Sequence, residues 1–395
     1  MDNFWSNKNI ECDCGKRHSF LSSVLGDDIA AALEKVKPSG THALFAGEDE
    51  EIISMAAKRF RLSMLNDKDT KSKEDIRLVI GQGGGINHAK YIAKKMNLEC
   101  VIIGSGDFLT SSIIQKPSKE CFLVNTPPHH IIVSQKDNTV DLANNFAMAA
   151  LSILGLFEYF IINDQKVCPL VFEKAAGITK DLISVADKTQ LASSMKLKEA
   201  IIDANVRFAL VNEYLYGGMS GCLSLNGAIQ SAAALSQMFF HDRNERIERL
   251  PSAALVLSGA VIKAYEAFLA QKLDYCPPPD NALRIERLVD FSGMNEATAI
   301  GLMPPYLGRA ELDKRDYGLE IYRDGYLRML GEARGLLDEA LHLFFKLLPC
   351  GGFEYKEYAN SIEVCMSIGL GPDILKGNTL LSIMRDKGVL EGFIV

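Results

Sequence analysis

Four glycines within five residues mark the place in this chain best suited to hold a ligand. Gly81, Gly83, Gly84 and Gly85 follow the apolar run Leu78-Val79-Ile80 and precede a helical pattern carried by Ala89, Tyr91, Ile92 and Met96. A residue without a Cβ tolerates positive φ and lets its backbone N–H come close to a bound group. A helix beginning just after such a turn aims its free amides and the positive end of its dipole at one spot, which suits a pyrophosphate. Asn87 and Lys90 belong to the opening turns of that helix. The spacing is not G-x-G-x-x-G, although Gly81-Gln82-Gly83 begins that way. A tight strand–helix turn with close packing needs the same residues, so both readings stand at this point.

A second apolar run, Val101-Ile102-Ile103, ends in Gly104-Ser105-Gly106-Asp107, with Ser111 just beyond. Strand, glycine turn, helix and strand make a βαβ unit, which implies a parallel sheet. Asp107 is a candidate catalytic residue or, in the plainer reading, a helix N-cap. Two other clusters have metal-ligand residue types. Cys12-Asp13-Cys14-Gly15-Lys16-Arg17-His18 carries two thiols and an imidazole, but Cys-x-Cys is tighter than the usual zinc pair and no second pair lies nearby. It reads as a turn carrying buried thiols. His129-His130 follows a diproline; neighbours in extended chain point to opposite faces, and the pair reads as an exposed loop.

The elements that must position these residues fall into two groups. Ala43-Leu44-Phe45-Ala46 followed by an acidic helix start at Glu48-Asp49-Glu50-Glu51 is a further βα unit, and Cys121–Val124 and Ile131–Val133 read as strands. After about residue 175 strand signals fade. Helical patterns cover Lys196–Tyr214, Gly227–Phe240, Ser252–Leu273, Leu283–Leu288, Glu296–Leu302 and Leu319–Leu348, with a last helix over Asn378–Leu390. The expected fold is an α/β N-terminal domain of dinucleotide-binding type, residues 1–170, followed by an all-α C-terminal domain, residues 171–395. In enzymes of this layout the site commonly lies in a cleft between domains.

Composition narrows the partners. The chain has 395 residues, a net charge of -7 and no basic run, which argues against nucleic acid. Nine cysteines at scattered positions suit reduced thiols in a cytoplasm. The polar N-terminus is not a signal peptide. Phe146–Ile162 is apolar but short and interrupted by Glu158, so it reads as a buried helix or a helix–strand pair rather than a membrane span.

This layout and several motifs resemble the iron-containing alcohol dehydrogenase and dehydroquinate synthase superfamily, in particular its sn-glycerol-1-phosphate dehydrogenase branch. Cys12, Cys14, Gly15 and His18 match a segment with which that branch often opens. Gly81-Gln82-Gly83 matches the start of its dinucleotide loop, with Asn87 where an Asp is expected and Lys90 after it. Ser105, Asp107 and Ser111 match a further motif, with Phe108 replacing a glycine. Thr379-Leu380-Leu381 echoes the closing helix.

The resemblance implies hydride transfer between NAD or NADP and a small, phosphorylated or unphosphorylated ketone, with Asp107, Ser111 and Lys90 near the nicotinamide. It also implies an enzyme without nucleic-acid partners, and an assembly of identical chains is an expectation of the same kind.

The family's divalent metal is held by one Asp and two His. Asp181 lies near the position of that Asp. Met294 stands at one histidine position, and no segment matches the other. The chain has only seven histidines. His241 and His342 fall in the helical part, and His342 reads as a core residue of an apolar helix. The expected metal site is therefore degenerate. Without it, stabilisation of a developing alkoxide falls to other groups, with His88, His241, Lys90 and Lys180 candidates by residue type. The alternative is a dehydrogenase-like nucleotide-binding or assembly protein without catalysis. A lyase of the dehydroquinate synthase type needs the same metal and fits no better.

Overall fold

Continuous β-branched runs such as Val79-Ile80, Val101-Ile102-Ile103 and Ile131-Ile132-Val133 suit strands covered on both faces. In the computed structural model they form the centre of a six-stranded sheet. The structure describes residues 9–15, 17–19, 23–38, 40–65, 76–104, 113–115, 121–123, 128–134, 142–162, 166–188, 195–215, 250–270, 281–292, 295–297, 309–347, 373–375, 378–379 and 388. The chain divides into two compact units, Met1–Val140 with Lys198–Cys222, and Asp141–Leu197 with Leu223–Val395.

The first unit opens with a small antiparallel hairpin, β1 (Asn9–Glu11) and β2 (Arg17–Ser19). The main sheet then follows: β3 (Ser23–Gly26), α1 (Ile29–Lys35), β4 (His42–Ala46), α2 (Glu50–Arg59), β5 (Arg61–Met64), β6 (Ile76–Gln82), α3 (Ile86–Met96) and β7 (Glu99–Gly104). A second hairpin, β8 (Ile113–Gln115) with β9 (Cys121–Leu123), stands apart from the main sheet, which is completed by β10 (His130–Val133). The strand order is β3-β10-β7-β6-β4-β5, and every pairing is parallel.

Strand alternation assigns the two faces. Ala43, Phe45, Leu78, Ile80, Val101, Ile103 and Ile132 form one core with Ile29, Ala32 and Leu33 of α1 and Ile52 and Ala56 of α2. The intervening positions face α3: an added Cβ at Gly81 would meet Ala89 and, across the strands, Ile102. So α1 and α2 lie on one face and α3 on the other. The chain runs from β4 outward to β5, and from β6 in the opposite direction to β7. The winding reverses between β4 and β6, and such a switch point is where open α/β sheets commonly hold ligands.

Short polar links fix the helix ends and the N-terminal edge of the sheet. Asp28 caps α1 by accepting from the Ala31 N–H, and Asn97 ends α3 in the left-handed region at φ 52°. His130 ties three strands together. Its Nε2 lies 2.9 Å from Glu99 Oε1 on β7, and its Nδ1 lies 2.6 Å from Ser23 Oγ on β3. His129 Nδ1 accepts from the Cys100 N–H at 3.1 Å. The two histidines thus have different partners, as alternation requires. The expected exposed loop holds for His129, which is exposed in a bend, but not for His130, which is half-buried at the start of β10.

The second unit is mainly helical: α4 (Leu142–Ile162), α5 (Pro169–Lys188), α7 (Leu250–Ala270), α8 (Asn281–Ser292) and α9 (Arg309–Leu347). Between α5 and α7 in the chain comes α6 (Met195–Leu215), most of which belongs to the first unit. The apolar segment ending at Ile162 is α4. It packs on α5, α7 and α9 and buries residues all round its axis, including Phe146, Leu151, Leu154 and Phe157. Among the described residues no helix is long and apolar enough to cross a membrane.

Glu158, wholly buried in α4, accepts from the Tyr265 hydroxyl of α7 at 2.7 Å. Tyr326 of α9 donates to the Phe160 carbonyl at 3.2 Å. Phe157 makes edge-on ring contacts with both tyrosines.

Three expectations are corrected here. Asp373–Leu375 (β11) and Asn378–Thr379 (β12) form a small antiparallel pair, so the tail does not begin as a helix at Asn378 and this part of the chain is not purely helical. The longest helix begins ten residues before Leu319, because Arg309–Asp316 is charged yet rich in good helix formers. His342 is exposed: the buried positions of α9 here are Ala340, Leu343 and Phe344, and residue 342 points between them toward solvent.

The Tyr265–Glu158 link is testable. Tyr265→Phe removes a donor from a buried carboxyl group and should lower unfolding free energy by about 1–3 kcal/mol. Glu158→Gln keeps an acceptor and should cost clearly less, both read by urea denaturation.

Candidate functional site

The β6–α3 turn lies at the C-terminal edge of the sheet, on one side of the switch point. After Gln82 the backbone makes a 3-10 turn over Gly83–Gly85, and the Ile86 N–H donates to the Gly83 carbonyl. The four glycines have different reasons to be glycine. An added Cβ at Gly81 would sit 2.6 Å from Ala89 Cβ, so this position is set by the approach of α3 to β6. At Gly85 it would sit 2.3 Å from the Ala46 carbonyl oxygen, so this position is set by the approach of the turn to the end of β4. Gly83 has φ 53°, a conformation side chains rarely adopt. Around Gly83 and Gly84 an added Cβ would meet nothing within 4 Å. The outer half of the turn therefore faces open space, while its flanks are locked by packing.

No side chain caps the N-terminus of α3. Its opening N–H groups, with Asn87 half-buried in the first turn, stand beside this open space. The neighbouring loop completes the edge. Gln82 is 8% exposed, and its Oε1 lies 3.4 Å from the Asp49 N–H. An added Cβ at Gly47 would meet that same Oε1 at 2.8 Å. Asp49 Oδ1 accepts from the Glu51 and Ile52 N–H groups and so caps α2, whereas Glu48 is exposed. Gln82 was not among the sequence-derived site residues; at Gly47 and Asp49 the sequence offered only an acid after Ala46-Gly47 placed about where one could hold a ribose hydroxyl. A strand followed by glycine, then an acid three residues before an apolar helix position, is the signal that marks the last two.

Lys90 is placed differently from Asn87. It is 2% exposed on the inner side of α3, and its charge acts on the thiol of Cys100. Cys100 is the second residue of β7, near the opposite end of the strands from the glycine turn. Burial pushes this thiol up to about 12, and the nearby Lys90 ammonium only partly opposes that. Cys100 is thus a neutral, inert core thiol.

Ser105, Asp107 and Ser111 lie outside the described residues, as do His241 and Met294. Asp181 is on α5 with an exposed side chain, in the second unit. Next to it Lys180 pairs with Glu332 of α9 at 3.1 Å, and Arg334 of α9 pairs with Glu266 of α7.

No protein-family model matches the chain, and no curated protein matches its sequence. Among solved structures it is similar to glycerol dehydrogenase from Schizosaccharomyces pombe, at 16% identity over 82% of this chain and 90% of that chain, TM-score 0.45. It is also similar to an aldehyde reductase from E. coli, at 12% identity over 97% of this chain and 100% of that chain, TM-score 0.45. A third is an iron-containing alcohol dehydrogenase from Thermotoga maritima, at 11% identity over 82% of this chain and 99% of that chain, TM-score 0.44. Likeness at this level carries no inference about activity.

The division of labour among the glycines predicts opposite outcomes for two alanine substitutions. Gly85→Ala drives a methyl group into the Ala46 backbone and should destabilise the fold by about 1–3 kcal/mol or more. Gly84→Ala enters open space and should leave the thermal midpoint within a degree or two, about 0.5 kcal/mol at most.

Proposed function

We propose that the turn Gly83–Gly85 and the N-terminus of α3 hold the pyrophosphate of NAD or NADP, and that the chain is an oxidoreductase transferring hydride between that cofactor and a small ketone or triose phosphate. What carries the reading is one observation: Gly83 and Gly84 face open space beside a helix N-terminus that no side chain caps, at the switch point of a parallel sheet. Gly81 and Gly85 serve by letting the helix and the β4 edge close around that space. Asn87 is a neutral side chain at the rim and does not repel a pyrophosphate as a carboxylate would.

The reading divides the work among the chain's own groups. Backbone amides bind and orient the diphosphate. Glu48 and the Asp49 loop border the same edge and favour a ribose hydroxyl over a ribose phosphate, because carboxylates accept from the first and repel the second. Asp107, Ser105 and Ser111 belong to the reading through the family resemblance, at the nicotinamide end. The cofactor supplies the hydride, and these residues orient it. No step is routed through a divalent metal, since Asp181 and Met294 do not make its donor set.

Met294 at a family histidine position also favours a second reading, in which the nucleotide is bound but not turned over. Titration of the purified protein with NADH and NADPH, followed by nicotinamide fluorescence, separates the two. The expected result is saturable micromolar binding, tighter for NADH, and weakened about tenfold or more by Gly84→Val, which fills the open space. Oxidation of bound NADH on adding dihydroxyacetone phosphate or a related small ketone supports the oxidoreductase. Binding without oxidation across such a screen supports the second reading. No binding of either cofactor by the folded protein overturns both.

A further inference from the structure

The hairpin of β1 and β2 holds a feature that nucleotide binding does not use. Its connecting turn contains Cys12 and Cys14, whose sulfur atoms lie within 4.8 Å of each other. The turn is built to keep them there. The Gly15 N–H donates to the Cys12 carbonyl at 2.9 Å, which closes a four-residue turn with both cysteines inside it. Gly15 takes φ 81°, the left-handed conformation that lets the chain leave such a turn. Pairing of Glu11 with Arg17 then clamps the two strands just beyond. Both cysteines are half-exposed, and Asp13 and Gly15 beside them are exposed. Neither sulfur is in a disulfide. The contrast with Cys100 is direct, since that thiol is buried and held neutral by its surroundings.

We propose that Cys12 and Cys14 form a chelating dithiolate site for a soft, thiophilic cation of the Cu(I) class. Metal–thiolate bonds of about 2.3 Å let two sulfurs bracket one ion at a separation of up to about 4.6 Å, and the 4.8 Å bound on the pair leaves only a few tenths of an ångström for the turn to close. Soft sulfur ligands select such ions over hard ones. A turn closed by its own hydrogen bond has little ordering left to do on binding. The step is a ligand exchange: two S–H bonds lose their protons to solvent, two S–metal bonds form, and no electron is transferred. The site is independent of the nucleotide reading and survives its failure.

The test is Cu(I) titration of the full chain under anaerobic reducing conditions, in competition with a chromophoric Cu(I) chelator. The expected result is one Cu(I) per chain withdrawn from the chelator, with at least a hundredfold loss in Cys12→Ser and in Cys14→Ser. Cys365→Ser, elsewhere in the chain, should bind as the unaltered protein does. Equal withdrawal by the unaltered protein and both variants, or none by any of them, overturns the proposal. If either variant misfolds, phenylarsine oxide, which bridges neighbouring thiols, is added to the unaltered protein and the bridged peptide is mapped by mass. A bridge between Cys12 and Cys14 supports the site, and a bridge elsewhere or none overturns it.

Discussion

The first unit depends on how closely the turn after β6 approaches the backbone at the end of β4. The missing side chain of Gly85 would lie 2.3 Å from the Ala46 carbonyl oxygen and 2.8 Å from the Gly47 nitrogen. That approach is compatible only with glycine, and it fixes where α3 begins. Once α3 is seated, Gly81 must also be glycine, because Ala89 occupies its side-chain space. The two contacts bring the loops after β4 and β6 together at the place where the sheet winding reverses. The open space at Gly83 and Gly84 lies between these two contacts, where the side-chain positions of the flanking glycines are occupied by neighbours.

The second unit is organised around a different constraint. A helix as apolar as α4 must be covered on every side, and α5, α7 and α9 cover it. Its one buried acid, Glu158, then needs a donor of its own, which Tyr265 provides. A pair of tyrosines from two helices, each meeting both the ring of Phe157 and a polar atom of α4, gives this core a register that apolar packing alone would leave loose.

How much of this was legible in the residues depends on the range of the cause. The strands and helices of the βαβ unit follow from local pattern and were readable, whereas 146–162 was legible as a buried apolar segment but not as one continuous helix. The glycine cluster was readable as a turn, but the role of each glycine was not. Those roles are set by Ala46, Gly47, Ala89 and Ile102, which local spacing does not bring together. The histidine pair shows the same limit. Its partners Cys100, Glu99 and Ser23 lie 29, 31 and 107 residues away in sequence, so a diproline and two imidazoles looked like a loop. His342 was misread for a local reason: apolar neighbours on both sides suggested a core position, but the helical period turns that one residue outward. The hairpin at 373–379 was missed because two very short strands carry little pattern of their own.

The central claim is that the open half of the glycine turn is a ligand site and not only architecture. Amide chemical-shift mapping of the isotopically labelled protein, with and without NADH, tests it most directly. The account predicts saturable shifts centred on the amides of Gly83 to His88 and on Gly47 to Asp49, with the β1–β2 hairpin and the Tyr265 surroundings unmoved. Saturable shifts centred elsewhere, with the glycine turn silent, would contradict it.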